Sequence, residues 1–131
     1  MSFTLFVSCF QDGEPASLAR DTVEAAFRPY ITRSEPEYRY WQVTYSELDT
    51  CGIYLTEDGF SIDRPCGDAR LWQALFELLR EHPLVLFWPD CTRPLVGRAA
   101  TIPHLAGDFT DALGAPLVVA SAVEILAAIR A

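Results

Sequence analysis

The sequence predicts an α+β fold, with a mixed β-sheet of about six strands flanked by four helices in a single domain over residues 1–131. Three observations predict it. Short apolar runs and segments of helical period follow one another in the order β-α-β-β-β-α-β-α-β-α. The strand run between residues 39 and 64 is broken only by tight turns, the connection that antiparallel neighbours use. Runs 84–88 and 117–119 are joined through a helix, which reads as a right-handed parallel crossover.

Phe3, Leu5, Val7 and Cys9 fall on one face of the first run, and Phe6 and Phe10 on the other. Apolar residues on both faces suit a central strand covered on both sides. Gln11-Asp12-Gly13-Glu14 is a turn, and Pro15 suits the first position of a helix. Leu18, Thr22, Val23, Ala26, Phe27 and Tyr30 make a helical stripe that Pro29 stops or kinks.

In the strand run, Trp41, Val43 and Tyr45 alternate against Tyr40, Gln42 and Thr44. Cys51, Ile53 and Leu55 alternate against Tyr54 and Thr56. Asp58-Gly59 reads as a two-residue type I′ hairpin, whose central residues both need positive φ. That turn sets Glu57 opposite Phe60, Thr56 opposite Ser61, Leu55 opposite Ile62 and Tyr54 opposite Asp63. Leu55 and Ile62 then share the core face, and Tyr54, Thr56, Ser61 and Asp63 share the other.

Asp68 is the N-cap of the strongest helix, Ala69 to His82, and Pro83 ends it. Leu71, Trp72, Leu75, Phe76, Leu78 and Leu79 give this helix a broad apolar face. Leu84 to Trp88 is a buried strand, and Pro89 to Ala100 is a loop. Pro103 starts a short helix to Leu113, with Gly114 just past its end. After the buried run Leu117-Val118-Val119, Ser121 and Glu124 form a capping box for the last helix.

Charge narrows the function classes. The chain carries a formal net charge of −8 with a pI of about 4.6. All ten basic residues are Arg, the usage of a GC-rich genome. An acidic domain repels phosphate backbones, so nucleic-acid binding is disfavoured and basic partners are favoured. The charge is uneven: Ser34 to Asp63 holds seven acids against Arg39 alone, while the rest holds eleven acids and nine arginines.

A basic start followed by a long apolar region is missing, so a cytoplasmic chain is expected. The most apolar stretch, Ala112 to Ile129, is interrupted by Pro116, Ser121 and Glu124 and is not a membrane span.

Catalytic motifs fail one after another. Neither G-x-G-x-x-G, G-x-x-x-x-G-K-[ST], G-x-S-x-G nor H-E-x-x-H occurs. His82 and His104 stand alone. Cys9, Cys51, Cys66 and Cys91 have no C-x-x-C or zinc spacing, so free thiols without metal or cofactor are expected. Two thiols keep an enzymatic alternative open. Cys66 sits at a helix start, where backbone amides lower a thiol pKa, and Cys91 follows a buried strand with Arg93 close by.

The positive feature is the outer face of the meander. Tyr40, Gln42, Thr44, Tyr54, Thr56, Ser61 and Asp63 line it, and Glu47, Asp49, Glu57 and Asp58 sit at its turns. Tyrosines give contact area at small entropic cost, and carboxylates steer a basic protein. The same residues also suit an ordinary solvated sheet face, because Thr and Tyr form strands well.

Phe10-Gln11-Asp12-Gly13-Glu14 and the segment Arg64 to Trp72 resemble parts of small uncharacterised bacterial proteins of GC-rich genomes. In length and acidity the chain is similar to immunity proteins that neutralise polymorphic toxins, a likeness that carries no functional residue across. Three readings follow. The first is a non-catalytic binding protein of immunity type that docks a basic toxin through Tyr40, Glu47, Asp49, Tyr54, Glu57, Asp58 and Asp63. The second is a small enzyme using Cys66 or Cys91 with Arg93. The third is a structural or regulatory subunit, homodimeric through an exposed sheet edge.

Overall fold

The sheet is built around β1 (Thr4–Gln11), which pairs antiparallel with β6 (Gly59–Asp63) on one side and β7 (Leu84–Phe87) on the other. The computed structural model describes residues 3–130. Beyond β6 lie β5 (Asp49–Leu55), β4 (Tyr40–Ser46) and the edge strand β3 (Ile31–Glu35). Beyond β7 lie β8 (Leu95–Val96) and β9 (Leu117–Val118), and β2 (Glu14–Pro15) folds back on β1. Among the described residues the sheet is therefore nine-stranded rather than six-stranded.

The extra strands are the ones whose sequence hides them. In β3 only Ile31 is apolar, so no alternation shows, as suits a polar edge strand. β8 is two residues long and lies inside the expected loop. β2 exists because Asp12 and Gly13 adopt φ of 52° and 84°, the type I′ geometry, which sets Gln11 opposite Glu14. Pro15 therefore closes a hairpin instead of opening a helix, and α1 (Arg20–Phe27) begins five residues later.

Two further expectations are corrected. The parallel pair is β8 with β9, not run 84–88 with run 117–119. β7 is antiparallel to β8, so it also runs opposite to β9. The crossover from β8 passes through a 3-10 helix, Ala99–His104, with Pro103 inside it, and α3 (Gly107–Leu113).

The second correction is one of register. Leu55 faces Phe60, Tyr54 faces Ser61, Ile53 faces Ile62 and Gly52 faces Asp63. The turn is centred on Glu57-Asp58, with the Thr56 amide donating to the Gly59 carbonyl at 3.0 Å, and neither central residue has positive φ. Gly59 answers a different need. A Cβ there would lie 1.9 Å from the Val7 carbonyl oxygen, because β6 starts against the β1 backbone. The difference leaves every side chain on its expected face, since strand alternation has period two.

Side chains divide into two cores. On one face, Leu5, Val7, Trp41, Val43, Ile53, Ile62, Leu84 and Leu86 pack under α1, α2 (Ala69–Glu81) and α4 (Ala122–Arg130). On the other, Phe10, Val85 and Val96 pack under Leu105 and Phe109, close to the β7–β8 end. The second face is thus covered over only part of its width, and β1 is not covered on both sides along its whole length: Phe6 is 37% exposed.

Caps follow their chemistry. Asp68 accepts from the Arg70 amide at 2.9 Å, and Arg70 also donates to the Tyr45 carbonyl at 3.0 Å, pinning the start of α2 to β4. The guanidinium beside Asp68 holds its carboxyl down at about 2. Ser121 accepts from the Glu124 amide at 3.3 Å, and the Glu124 carboxylate accepts from the Ala120 amide at 3.1 Å.

The close approach of β6 to β1 is open to test. Gly59→Ala is expected to destabilise the chain by more than about 2 kcal/mol in denaturant titration, because backbone must move. Gly67→Ala, where a Cβ meets nothing within 4 Å, is expected to stay within about 0.5 kcal/mol of the parent.

Candidate functional site

The observed register lines up one cross-strand row on the partly open face. Glu35 faces Tyr40, Tyr40 faces Tyr54, Tyr54 faces Ser61, Ser61 faces Phe6, and Phe6 faces Phe87. Six adjacent strands contribute one residue each, so the row runs for about 24 Å at the usual strand spacing. Tyr40 and Tyr54 rings lie 4.9 Å apart, and Phe6 stacks on Phe87 at 5.4 Å. Phe109 meets the edge of Phe87 at 5.1 Å, so the row ends where α3 begins to cover the sheet.

Local sequence explains why Phe6 and Tyr54 are exposed while Tyr40 and Phe87 are half-buried. Residues of even number in β1 and β4 point to this face, and among the described residues no α-helix packs over β4, β5 and β6 on that side. Tyr40 lies across Gly52, where a Cβ would come within 2.8 Å of the ring. Burial, with Tyr54 and Glu35 beside it, pushes the Tyr40 phenol up from its ordinary value.

At the β3 end the row opens into a cleft of about 340 Å³ lined by Arg33, Glu35, Tyr38, Tyr40, Gln42 and Tyr54. Arg33 donates to Glu35 at 3.3 Å across its rim. A second depression of about 190 Å³ lies between Phe6, Ser8, Thr56, Asp58 and Ser61.

The structure brings some of the sequence-derived site residues together and separates others. Tyr40 and Tyr54 are adjacent in the row. Asp63 lies two residues further along β6 on the same face, opposite Gly52, and Asp58 borders the depression beside Phe6, so carboxylates flank the row on both sides. Glu57 faces a different cavity, beside Arg20 and Arg39. Glu47 and Asp49 lie at the β4–β5 turn, the opposite end of β5 from Glu57 and Asp58 and about 20 Å away along the strand. Asp49 accepts from the Ser46 hydroxyl at 2.8 Å and serves that turn.

The four turn carboxylates are therefore not one surface. Hairpins alternate ends of a meander, so consecutive turns of an antiparallel sheet point opposite ways. Among the described residues none of Glu47, Asp49, Glu57, Asp58 and Asp63 is paired with an arginine or histidine.

Phe6, Phe87, Glu35 and Tyr38 complete the site and were missed in the sequence. Phe6 and Phe87 had the pattern of core residues, and β3, which carries Glu35, had no signal.

The thiols give no activated nucleophile at Cys66. It is buried beside Cys51, and burial pushes both thiols up, Cys51 to about 12. The Asp68 cap occupies the helix start that would otherwise act on Cys66. Arg93 donates to the carbonyls of Ala115 and Pro116 at 3.0 Å each, holding the segment before β9. Cys91 is half-buried. Among the described residues no group of three or more His, Cys, Asp or Glu could hold a metal ion, and no helix is long and apolar enough to cross a membrane.

No protein-family model, curated protein or solved structure matches this chain.

Raised thiol pKa values fix a sign. A thiol raised by folding stabilises the fold below its ordinary pKa, and that contribution fades as pH climbs toward the raised value. The chain is expected to lose stability between about pH 9 and 12, the window set by Cys51. In thiol labelling of the folded chain at pH 8, Cys91 is expected to react first and Cys51 and Cys66 only after unfolding. Rapid native labelling of Cys66 would restore the enzymatic reading.

Proposed function

We propose that this chain is a non-catalytic binding protein that covers a basic protein with the open part of its sheet, acting as an immunity-type inhibitor of a cationic bacterial toxin. The observation that carries this reading is the row Tyr40–Tyr54–Ser61–Phe6–Phe87 on one face, with Tyr54 and Phe6 exposed and Tyr40, Ser61 and Phe87 half-buried, flanked by Asp58 and Asp63. Exposed rings in register cost the free chain apolar hydration, and a contiguous patch of this kind marks a docking surface.

Chemistry favours a basic occupant. Arginine and lysine side chains lie flat over tyrosine rings and are attracted by the ring faces. Asp58 and Asp63 stand where such a cation would find a countercharge, and the net charge of −8 adds long-range steering. Size and acidity similar to those of immunity proteins point the same way. The raised Cys66 thiol and the structural use of Arg93 weigh against the enzymatic alternative.

The test is to sequence the genes beside this one, express any basic toxin domain found there and titrate the chain against it, with growth rescue on co-expression as the biological readout. Tyr54→Ala is expected to weaken the complex at least tenfold while costing the free chain no more than about 1 kcal/mol. The double change Asp58→Asn, Asp63→Asn is expected to slow association and flatten its salt dependence. Glu47→Gln, at the far turn, is expected to leave affinity unchanged. Full affinity in Tyr54→Ala, or an equal loss in Glu47→Gln, would overturn the docking surface. A stable homodimer that buries Tyr54 would assign the row to self-association instead.

A further inference from the structure

A second cavity stands apart from the row and carries the opposite charge. It holds about 230 Å³ between the start of α1 and the β5–β6 hairpin. Its walls are apolar where Leu18, Val23 and Leu55 line it, and Arg20, Arg39 and Glu57 also border it. Among the described residues neither arginine is paired with a carboxylate, although the chain has 18 acids and 10 arginines.

Both arginines are anchored, Arg20 through its side chain and Arg39 through its backbone. The Arg20 guanidinium lies 5.5 Å from the centre of the Trp41 ring, a cation–π contact that fixes its position. Arg39 adopts a left-handed backbone, φ 53° and ψ 43°, at the end of the 3-10 turn Pro36–Tyr38. Non-glycine residues seldom take this conformation, and it persists only where surrounding structure imposes it. Here its amide donates to the Pro36 carbonyl at 3.1 Å and its carbonyl accepts from the Leu55 amide at 2.8 Å. The opposite wall is tied in the same manner, by the Leu18 amide donating to the Glu57 carbonyl at 2.9 Å. The cavity thus has bonded walls, an apolar floor and two unpaired guanidinium groups at its border.

We propose that this cavity binds a small amphipathic carboxylate, an organic acid with an apolar body of about ten heavy atoms or fewer. The volume lies below the usual range for drug-sized ligands, which limits the body. The floor takes the hydrocarbon, and Arg20 and Arg39 take the carboxylate, for which guanidinium is the best-matched side chain. Glu57 supplies the one repulsive charge at the border. This proposal does not rest on the docking reading, because it uses other residues and a ligand of opposite charge.

The test is an NMR titration of the full chain with hexanoate, following the Leu18, Val23 and Leu55 methyl groups. Hexanol serves as the uncharged body and acetate as the charge without a body. Hexanoate is expected to saturate with a dissociation constant of about 1 mM or tighter. Hexanol and acetate are each expected to bind at least tenfold more weakly. Arg20→Gln and Arg39→Gly are each expected to cost tenfold with the fold retained, since glycine accepts the left-handed conformation, and Glu57→Gln is expected to tighten binding. Unshifted methyl groups at 10 mM hexanoate, equal binding of hexanol, or undiminished binding in both arginine variants would overturn the proposal.

Discussion

The backbone of β6 begins so close to β1 that residue 59 can carry no side chain. That contact sets the register of β6 on β1, with Ser8 opposite Gly59 and Phe6 opposite Ser61. Register then propagates through the ladder, because each strand is bonded to the next. Tyr54 comes to face Ser61, Tyr40 comes to face Tyr54, and the aromatic row is complete. A shift of two residues would set Tyr54 beside Asp63, as in the expected hairpin, and move it out of line with Phe6. The proposed docking surface is therefore a consequence of a steric fact one strand away from Tyr54 and two from Tyr40.

Unequal coverage of the sheet turns that row into a surface. Three helices close one face, and the core beneath them includes Trp41, Trp72 and Phe27, all essentially inaccessible. Among the described residues the other face is covered by the segment from Ala99 to Leu113, which reaches Phe10, Val85, Val96 and Phe87. Strands β4 to β6 are left to water on that side. Burial of large rings contributes about 25 cal/mol per Å² of apolar surface, so rings left outside represent stabilisation that the free chain forgoes. The electrostatics divide along the same lines. Asp58 and Asp63 edge the row, while Arg20 and Arg39 border a separate cavity around the hairpin, so the two proposed sites differ in the sign of the charge beside them.

Much of this was legible in the sequence, and the failures have physical causes. Faces were legible because alternation in β4 and β5 is strict, and Asp68, Gly114 and the Ser121–Glu124 box end their helices as their chemistry requires. The class, α+β with a mixed sheet, was legible from the order of periodic segments. Register was not, because Asp-Gly carries two meanings. At Asp12-Gly13 it supplies positive φ for a hairpin, and at Asp58-Gly59 the glycine supplies clearance from a neighbouring strand. The separation of Glu47 and Asp49 from Glu57 and Asp58 was available from the meander itself. Charge counting along the chain concealed it, since residues ten apart in sequence occupy opposite ends of the sheet. Phe6 and Phe87 were hidden by their type, because an apolar residue in a strand reads as core whether or not a helix covers it.

The account turns on which face meets the partner. Cross-saturation NMR of the isotope-labelled chain, with irradiation of the bound basic protein, reports that face residue by residue. The account predicts saturation at the rings of Tyr40, Tyr54 and Phe6, with the outer residues of α1 and α2 unaffected. Saturation confined to α1 and α2, with the three rings silent, would contradict it.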